Sequence, residues 1–103
     1  MSLKSISRKI RQSAKGQDCT VRLPGVCREA PDNETTVLAH MPSGGMGNKA
    51  PDTEAAYACF YCHEHLDGRL QAKPPFDNEF LELQHLRGCV ETRAILRRMD
   101  LIT

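Results

Sequence analysis

Two cysteine pairs form the clearest chemical pattern in this sequence. Cys59 and Cys62 enclose two residues, a spacing that lets two thiolates reach one tetrahedral zinc ion at about 2.3 Å. Cys19 and Cys27 lie further apart, but residues 23–26 (LPGV) between them predict a type II turn that brings the pair together. Four thiolates would close the coordination sphere, so we expect a structural zinc ion. The alternative for Cys19 and Cys27 is that both are merely small buried residues.

Histidine and aspartate form a second pattern next to the thiols. If a helix begins near Cys62, His63 and Asp67 lie at i and i+4 on one face, where both could bind one divalent ion. His40 ends a predicted strand, and pairing with the next strand would place it over the start of this helix. There its imidazole could take a proton from water while the ion neutralises a phosphate. Taken alone, His40 also fits a capped strand end, and His63 fits a simple helix N-terminal residue.

Hydrophobic periodicity and turn residues predict a small α+β domain around these patterns. In chain order we expect a helix over 3–15 stopped by Gly16, strands over 35–40 and 54–59, a short helix from Cys62 to about Leu70, and a long helix to about Met99. Residues 41–52 contain three glycines and two prolines and form the loop between the strands. Loops of this length in a compact domain are often functional.

The last predicted helix begins at a cap, Asp77 or Asn78, and carries one apolar stripe, which could pack back on the domain or pair with another chain. The expected stripe consists of Phe80, Leu83, Leu86, Val90 and Ala94. Gly88 is a weak point within the helix, and Cys89 is expected to be a plain packed thiol. His85 is expected to be a surface residue or part of the stripe.

The composition indicates one domain with a thin core. The chain has 103 residues, of which 40% are hydrophobic and 5% aromatic, and it has no tryptophan. A domain so poor in large apolar side chains usually needs a metal or disulfides. We expect a basic N-terminal arm or helix over 1–16, a zinc-bound core over 17–72, and a helix over 73–103 that packs on or extends from the core.

The cysteine count and the first residues indicate a reducing compartment. Five cysteines cannot all pair, the basic start lacks the apolar segment of a signal peptide, and no 18 consecutive apolar residues occur. We therefore expect a protein of the bacterial cytoplasm without membrane contact, in which clustered cysteines bind metal rather than form disulfides.

Positive charge is concentrated at the start of the chain. The net charge is only +1, yet no acidic residue precedes Asp18. The basic residues expected to contact DNA phosphates are Lys4, Arg8, Lys9, Arg11 and Lys15, with Lys49 in the loop. The alternative is a solvated or disordered terminus.

The order of these motifs resembles that of a known family. The motifs are C-x7-C from Cys19, LAH ending at His40, a glycine-rich loop ending in PD at Asp52, and C-x2-C-H-x3-D from Cys59 to Asp67. Over residues 8–70 the chain is similar to the small nucleases of lambdoid phages and prophages typified by YbcO, which are related to the HNH domain of the Ref recombination nuclease. This resemblance implies a ββα-metal (HNH-like) fold, a zinc ion held by four cysteines, and DNA cleavage that depends on Mg²⁺ or Mn²⁺.

The resemblance also assigns roles by motif. His40 takes the place of the HNH general base and His63 that of the last metal ligand, and the metal shell is short unless Asp67 or water fills it. Many HNH enzymes have Asp or His immediately before the base, where this chain has Ala39. The middle asparagine of the motif has no counterpart at its usual place, so Asp52, or failing that Asn48, is expected to position the loop behind His40.

Three functions compete at this point. The first is a metal-dependent DNA endonuclease serving phage recombination or DNA processing, with phage or host recombination proteins as partners. The second is a non-catalytic zinc-ribbon module that binds nucleic acid, for which His40, His63 and Asp67 need not converge. The third is an interaction protein of a recombination factor, in which zinc is only structural.

Overall fold

A two-stranded sheet and three helices make up the part of the chain that the structure describes. This computed structural model describes residues 3–27, 35–41, 51–67 and 76–102, and of residues 3–7 it describes the backbone alone. The elements are α1 (Leu3–Ser13), β1 (Val37–His40), β2 (Ala55–Ala58), α2 (Phe60–Asp67) and α3 (Asn78–Arg98). The expected α+β class is confirmed. No helix among these residues is long and apolar enough to span a bilayer.

The two strands pair antiparallel and separate two apolar clusters. Val37 lies opposite Ala58, and His40 lies opposite Ala55. One cluster joins alanines of the sheet to α2 and α3 through Ala39, Ala56, Ala58, Cys62, Leu66, Leu81 and Cys89. The other joins the sheet to α1 and the end of α3 through Leu38, Tyr57, Ile10, Ala14 and Leu96. Because side chains alternate along a strand, α1 and α2 pack on opposite faces of the sheet.

Two threonines form hydrogen bonds with the backbone of β2 along the edge that does not pair with β1. The Thr20 N–H donates to the Tyr57 carbonyl oxygen at 2.8 Å, and the Tyr57 N–H donates to Thr92 Oγ1 at 3.0 Å. Both threonines are buried. An unpaired strand edge is a site for unwanted pairing with another chain, and these bonds remove it. They also tie α3 to the segment that carries Cys19.

The helix stop at Gly16 and the type II turn at residues 23–26 are both confirmed. Gly16 has φ 84° just after α1, as expected of a residue that stops a helix. Gly25 has φ 73°, and the Val26 N–H donates to the Leu23 carbonyl oxygen at 3.1 Å, which are the features of a type II turn. The turn therefore reverses the chain between Cys19 and Cys27 as predicted.

Asp77 caps α3 as predicted, and most of the apolar stripe expected along this helix faces away from the sheet. The Asp77 carboxylate accepts a hydrogen bond from the Phe80 N–H at 2.8 Å, which fixes the predicted start. Leu83 is 61% exposed and Val90 is 64% exposed. The buried residues of α3 are Leu81, His85, Gly88, Cys89, Thr92 and Leu96.

Small residues of α3, rather than its large apolar ones, face the sheet because the helix and the sheet approach each other closely. A Cβ at Gly88 would lie 3.0 Å from Ala56 Cβ and 3.0 Å from Thr20 Oγ1, so alanine there would push these neighbours apart by a few tenths of an ångström. Gly88 is thus a close-packing site rather than the weak point that propensity suggests. His85 is 1% exposed, which corrects the expectation of a surface or apolar-stripe position. Cys89 is buried in the core as expected.

Gly88→Ala should destabilise the protein despite alanine's better helix propensity. Propensity favours alanine by about 1 kcal/mol, whereas overpacking a well-filled core costs about 1–3 kcal/mol. We expect a lower free energy of unfolding in urea for the metal-loaded protein. Glu82→Ala, at an exposed position of the same helix, is the control. A Gly88→Ala variant more stable than wild type would show that the contact with Ala56 is not tight.

Candidate functional site

Four cysteines from three parts of the chain converge in space. Cys19 and Cys27 flank the type II turn, Cys59 links β2 to α2, and Cys62 lies in the first turn of α2. Their sulfur atoms all lie within 4.8 Å of one another, and all four thiols are free. Within the described residues this is the one group of three or more Cys, His, Asp or Glu ligand atoms that could hold a metal ion.

The geometry of the four-thiol cluster fits tetrahedral zinc. A zinc–sulfur bond of about 2.3 Å implies sulfur–sulfur distances of about 3.8 Å, and the Cys59 and Cys27 sulfurs lie 3.9 Å apart. The Arg22 N–H donates to Cys19 Sγ at 3.5 Å, which helps to fix this ligand. Cys19, Cys59 and Cys62 are buried, so little room remains for water as a ligand. The cluster can therefore hold a metal ion with a closed ligand set.

The pKa values of the thiols diverge because the groups interact. The hydrogen bond with the Cys62 thiol lowers the pKa of Cys19 to about 5, against the opposing effect of burial. Burial raises the pKa of Cys27 to about 12, and the charge on Cys19 acts in the same direction. The hydrogen bond with Cys19, followed by burial, raises the pKa of Cys62. Because zinc binds thiolates, a bound cation would have to displace the protons that the raised pKa values favour on Cys27 and Cys62.

His40 lies in a polar chain that links the sheet to α1. Its Nε2 lies 2.6 Å from Asp52 Oδ1, and Arg11 Nη1 donates to the other carboxylate oxygen of Asp52 at 3.0 Å. Since an ionised carboxylate only accepts hydrogen bonds, Nε2 of His40 carries a proton. The lone pair of the neutral ring then lies on Nδ1, which is the atom able to accept a proton. Asp52, predicted to position the loop, thus lies directly against the predicted base.

His85 holds the strand that carries His40. Its Nε2–H donates to the Ala39 carbonyl oxygen at 2.6 Å inside the core, although the sequence pattern did not single out this role. The Ala39 side chain is 2% exposed and packs in the same core. The position before His40, the predicted base, is therefore part of the core packing and offers no metal ligand.

The predicted metal pair on α2 is present as an i, i+4 contact. His63 Nε2 lies 3.7 Å from Asp67 Oδ2, with the two side chains 34% and 72% exposed. No hydrogen bond or ion pair among the described residues joins this pair to His40. His40 shares the sheet face of Leu38 and α1, whereas α2 buries Cys62 and Leu66 against the alanine face.

A groove of about 370 Å³ opens beside His40. It is lined by Arg11, Lys15, Thr36, Val37, Leu38 and His40. The Thr36 hydroxyl is buried without a hydrogen-bond partner. Arg8 and Lys9 are exposed on α1, the helix that also carries Arg11. Of the remaining predicted residues, Asn48, Lys49 and the side chain of Lys4 lie outside what the structure describes.

Comparison with known proteins identifies the family. The family model described as "Putative nuclease YbcO" matches residues 8–101. The chain belongs to this family. The YbcO match spans both cysteine pairs, His40, the α2 pair and the whole of α3, and it confirms the family resemblance that the sequence motifs indicated.

Individual relatives agree with the YbcO family match. "Putative nuclease YbcO" of Escherichia coli (strain K12) and "Putative nuclease ybcO" of Enterobacteria phage 82 are each 46% identical to this chain over 63 residues. The aligned region covers 58% of this chain and 64% of each relative, less than two thirds of their length. A solved structure, described as that of a putative bacteriophage protein from Escherichia coli K-12, superposes with a TM-score of 0.70 at 34% identity, covering 89% of this chain and 100% of that one.

Proposed function

We propose that this protein is a metal-dependent DNA endonuclease of the HNH type, built on a ββα-metal core of β1, β2 and α2. The observation that carries the proposal is the His40–Asp52 pair, which opens onto a groove lined by the cations Arg11 and Lys15. Membership of a family named for a nuclease supports the same class of reaction. The recombination proteins that the sequence resemblance implied as partners remain predictions.

His40 is the general base of the proposed reaction. Nδ1 takes a proton from the water that attacks the phosphorus atom, and the ring becomes an imidazolium. Asp52 keeps the proton on Nε2 before the reaction and stabilises the positive ring after it, as a carboxylate does beside a catalytic histidine. Arg11 holds the carboxylate from its other side at 3.0 Å, so Asp52 cannot easily rotate away. The base is thus oriented by two residues distant in sequence.

Basic residues of α1 and of the turn that follows it hold the DNA backbone in this proposal. Arg11 and Lys15 line the groove next to His40, and Arg8 and Lys9 extend the same helix surface. Lysine and arginine contacts to phosphate supply affinity without reading sequence, and they weaken as salt rises. Lys4 and Lys49 stay predicted members of this surface.

His63 and Asp67 are the proposed ligands of a catalytic Mg²⁺ or Mn²⁺ ion. An imidazole nitrogen and a carboxylate oxygen 3.7 Å apart can bind one cation, and the exposure of both side chains leaves its other positions to water and phosphate oxygen. Such an ion would neutralise charge on the phosphate and the departing 3′ oxygen. The proposal requires bound DNA to reach from the His40 groove on the α1 face of the sheet to this pair on the helix that packs against the other face. Since Ala39 is part of the core, no ligand is expected from the residue before the base.

The four-thiol cluster is proposed to hold structural zinc. Its sulfur spacing, its burial and its closed set of four ligands match such a site, and the ion would join the turn segment to the start of α2. In this proposal zinc fixes the scaffold, while the chemistry belongs to His40 and the α2 pair.

Asp67→Ala should weaken binding of Mn²⁺ while leaving the fold intact. Asp67 is 72% exposed, so its removal costs little packing but halves the protein ligands of the proposed site. We expect the Mn²⁺ dissociation constant, measured by calorimetry on zinc-loaded protein, to rise about 10–100-fold. Glu64→Ala, an exposed carboxylate on the same helix, is the control. An unchanged affinity for Mn²⁺ would remove Asp67 from the site.

Conversion of supercoiled plasmid to nicked or linear forms tests the function itself. We expect cleavage with Mg²⁺ or Mn²⁺ and none when divalent ions other than the bound zinc are left out. A homogeneous zinc-loaded protein that binds DNA but never cuts it, across these metals, would contradict the nuclease assignment.

A further inference from the structure

The surface of α3 that faces away from the sheet carries an apolar stripe. Leu83, Leu86 and Val90 are 61%, 47% and 64% exposed, although each is a large hydrophobic side chain. They lie at i, i+3 and i+7, so they form one continuous row along the helix. Single exposed leucines are ordinary on protein surfaces, but an aligned row on a 21-residue helix marks an interaction surface.

The spacing of the exposed stripe is that of a coiled-coil seam. Steps of three and four residues place Leu83, Leu86 and Val90 at successive a and d positions of a heptad pattern. The same pattern continues to Glu79 before the stripe and to Arg97 after it. Arg93 lies at the intervening position, but its Nε donates to the Thr53 carbonyl oxygen at 2.8 Å, so Arg97 is the cation on which the basic end depends. The seam therefore has an acidic end, an apolar centre and a basic end.

This order of charges selects the orientation of a helical partner. A helix that pairs with the seam must be basic next to Glu79 and acidic next to Arg97. A second α3 that runs in the opposite direction places its basic end next to Glu79 and its acidic end next to Arg97, so it meets both requirements. Antiparallel pairing also aligns the helix dipoles favourably. A nucleic acid would be repelled at the acidic end, because its charge has one sign along its whole length.

We propose that α3 pairs antiparallel with α3 of a second copy of this chain. In the register that matches charges, Leu86 lies against Val90 of the second copy, and Glu79 lies against its Arg97. Two-fold symmetry repeats each contact, as in other isologous dimers. The seam is short, so the dimer forms reversibly rather than as an obligate unit. This inference rests on α3 alone and does not depend on the nuclease assignment.

Sedimentation equilibrium of the zinc-loaded protein over about two decades of concentration tests the proposal. We expect a monomer–dimer equilibrium in the wild type. Leu86→Glu should raise the dimer dissociation constant at least about tenfold, because it buries an unpaired carboxylate against Val90 of the second copy. Phe60→Glu is the matched control, since Phe60 is 49% exposed on α2, away from the seam, and its change should leave the constant unaltered.

Charge reversal tests the antiparallel register. Glu79→Arg and Arg97→Glu should each weaken the dimer, and the double variant should return the constant close to the wild-type value. Circular dichroism verifies that every variant keeps its helices. A wild type that stays monomeric throughout, or a dimer unaffected by Leu86→Glu, would overturn the proposal. A double variant as weak as the single variants would overturn the antiparallel pairing.

Discussion

Replacing His40 by alanine should slow plasmid cleavage by about 10²–10⁴-fold, the usual contribution of a general base. The variant loses the Nδ1 lone pair that accepts the proton, while the four-thiol cluster and the sheet are untouched. Time courses of nicking with Mg²⁺ or Mn²⁺, at fixed enzyme excess over plasmid, measure the rate. Because His40 is only partly buried at the end of β1, circular dichroism and zinc content should match those of the wild type.

A second histidine, on α2, is the matched control for His40. His65 lies on α2 and is exposed, with its ring against the Tyr61 carbonyl oxygen of its own helix at 3.0 Å. His65→Ala should therefore keep nearly the full rate of cleavage. Cleavage by His40→Ala at the wild-type rate would show that another group, or a contaminating nuclease, provides the base.

Variants of Asp52 separate the charge of this residue from its hydrogen bond. Asparagine can still accept the Nε2–H of His40 through its amide oxygen, but it cannot stabilise the imidazolium by charge. We expect Asp52→Asn to lose roughly tenfold in rate, equivalent to about 1.4 kcal/mol in the barrier. Asp52→Ala should lose more, because the ring then has no acceptor to fix its tautomer. Equal rates for all three proteins would exclude the His40–Asp52 pair from catalysis.

Features that depend on neighbours in sequence could be predicted from the residues. Gly16 and Gly25 have the positive φ that a helix stop and a type II turn require, and Asp77 caps α3. The cysteine cluster was predictable because a C-x2-C pair and a turn each act over a few residues. Asp52 could be expected near His40 only through the family pattern, since twelve residues of chain separate the two.

Features that depend on tertiary packing could not be predicted in this way. Periodicity found the apolar row of Leu83, Leu86 and Val90, but the sheet offers α3 a surface of alanines that only small residues can approach closely. Gly88 and Thr92 therefore face the sheet, and the apolar row faces outward. His85 looks like a surface residue in sequence, yet it donates to a carbonyl within the core. No local pattern distinguishes such a histidine, because its acceptor lies 46 residues away.

Changing Cys59 to serine should unfold the domain rather than remove activity selectively. Cys59 is 1% exposed and joins β2 to α2, so its sulfur connects the sheet to the turn segment through the proposed zinc ion. Structural zinc contributes about 10–16 kcal/mol of apparent binding free energy in zinc-finger peptides near neutral pH. Whole domains are stable by only about 5–15 kcal/mol. Opening the ligand shell thus removes free energy comparable to the entire stability of this thin core.

Cys89 supplies the matched control for Cys59, because it is 3% exposed in the same apolar cluster and is not one of the four converging thiols. Cys89→Ala should cost only about 1 kcal/mol and keep about one zinc ion per chain, measured by elemental analysis and thermal melts. Treating the wild type with a strong chelator should reproduce the unfolding of Cys59→Ser, since both open the same shell. A Cys59→Ser protein with native circular dichroism and the wild-type melting temperature would mean that packing alone holds β2, α2 and the turn together.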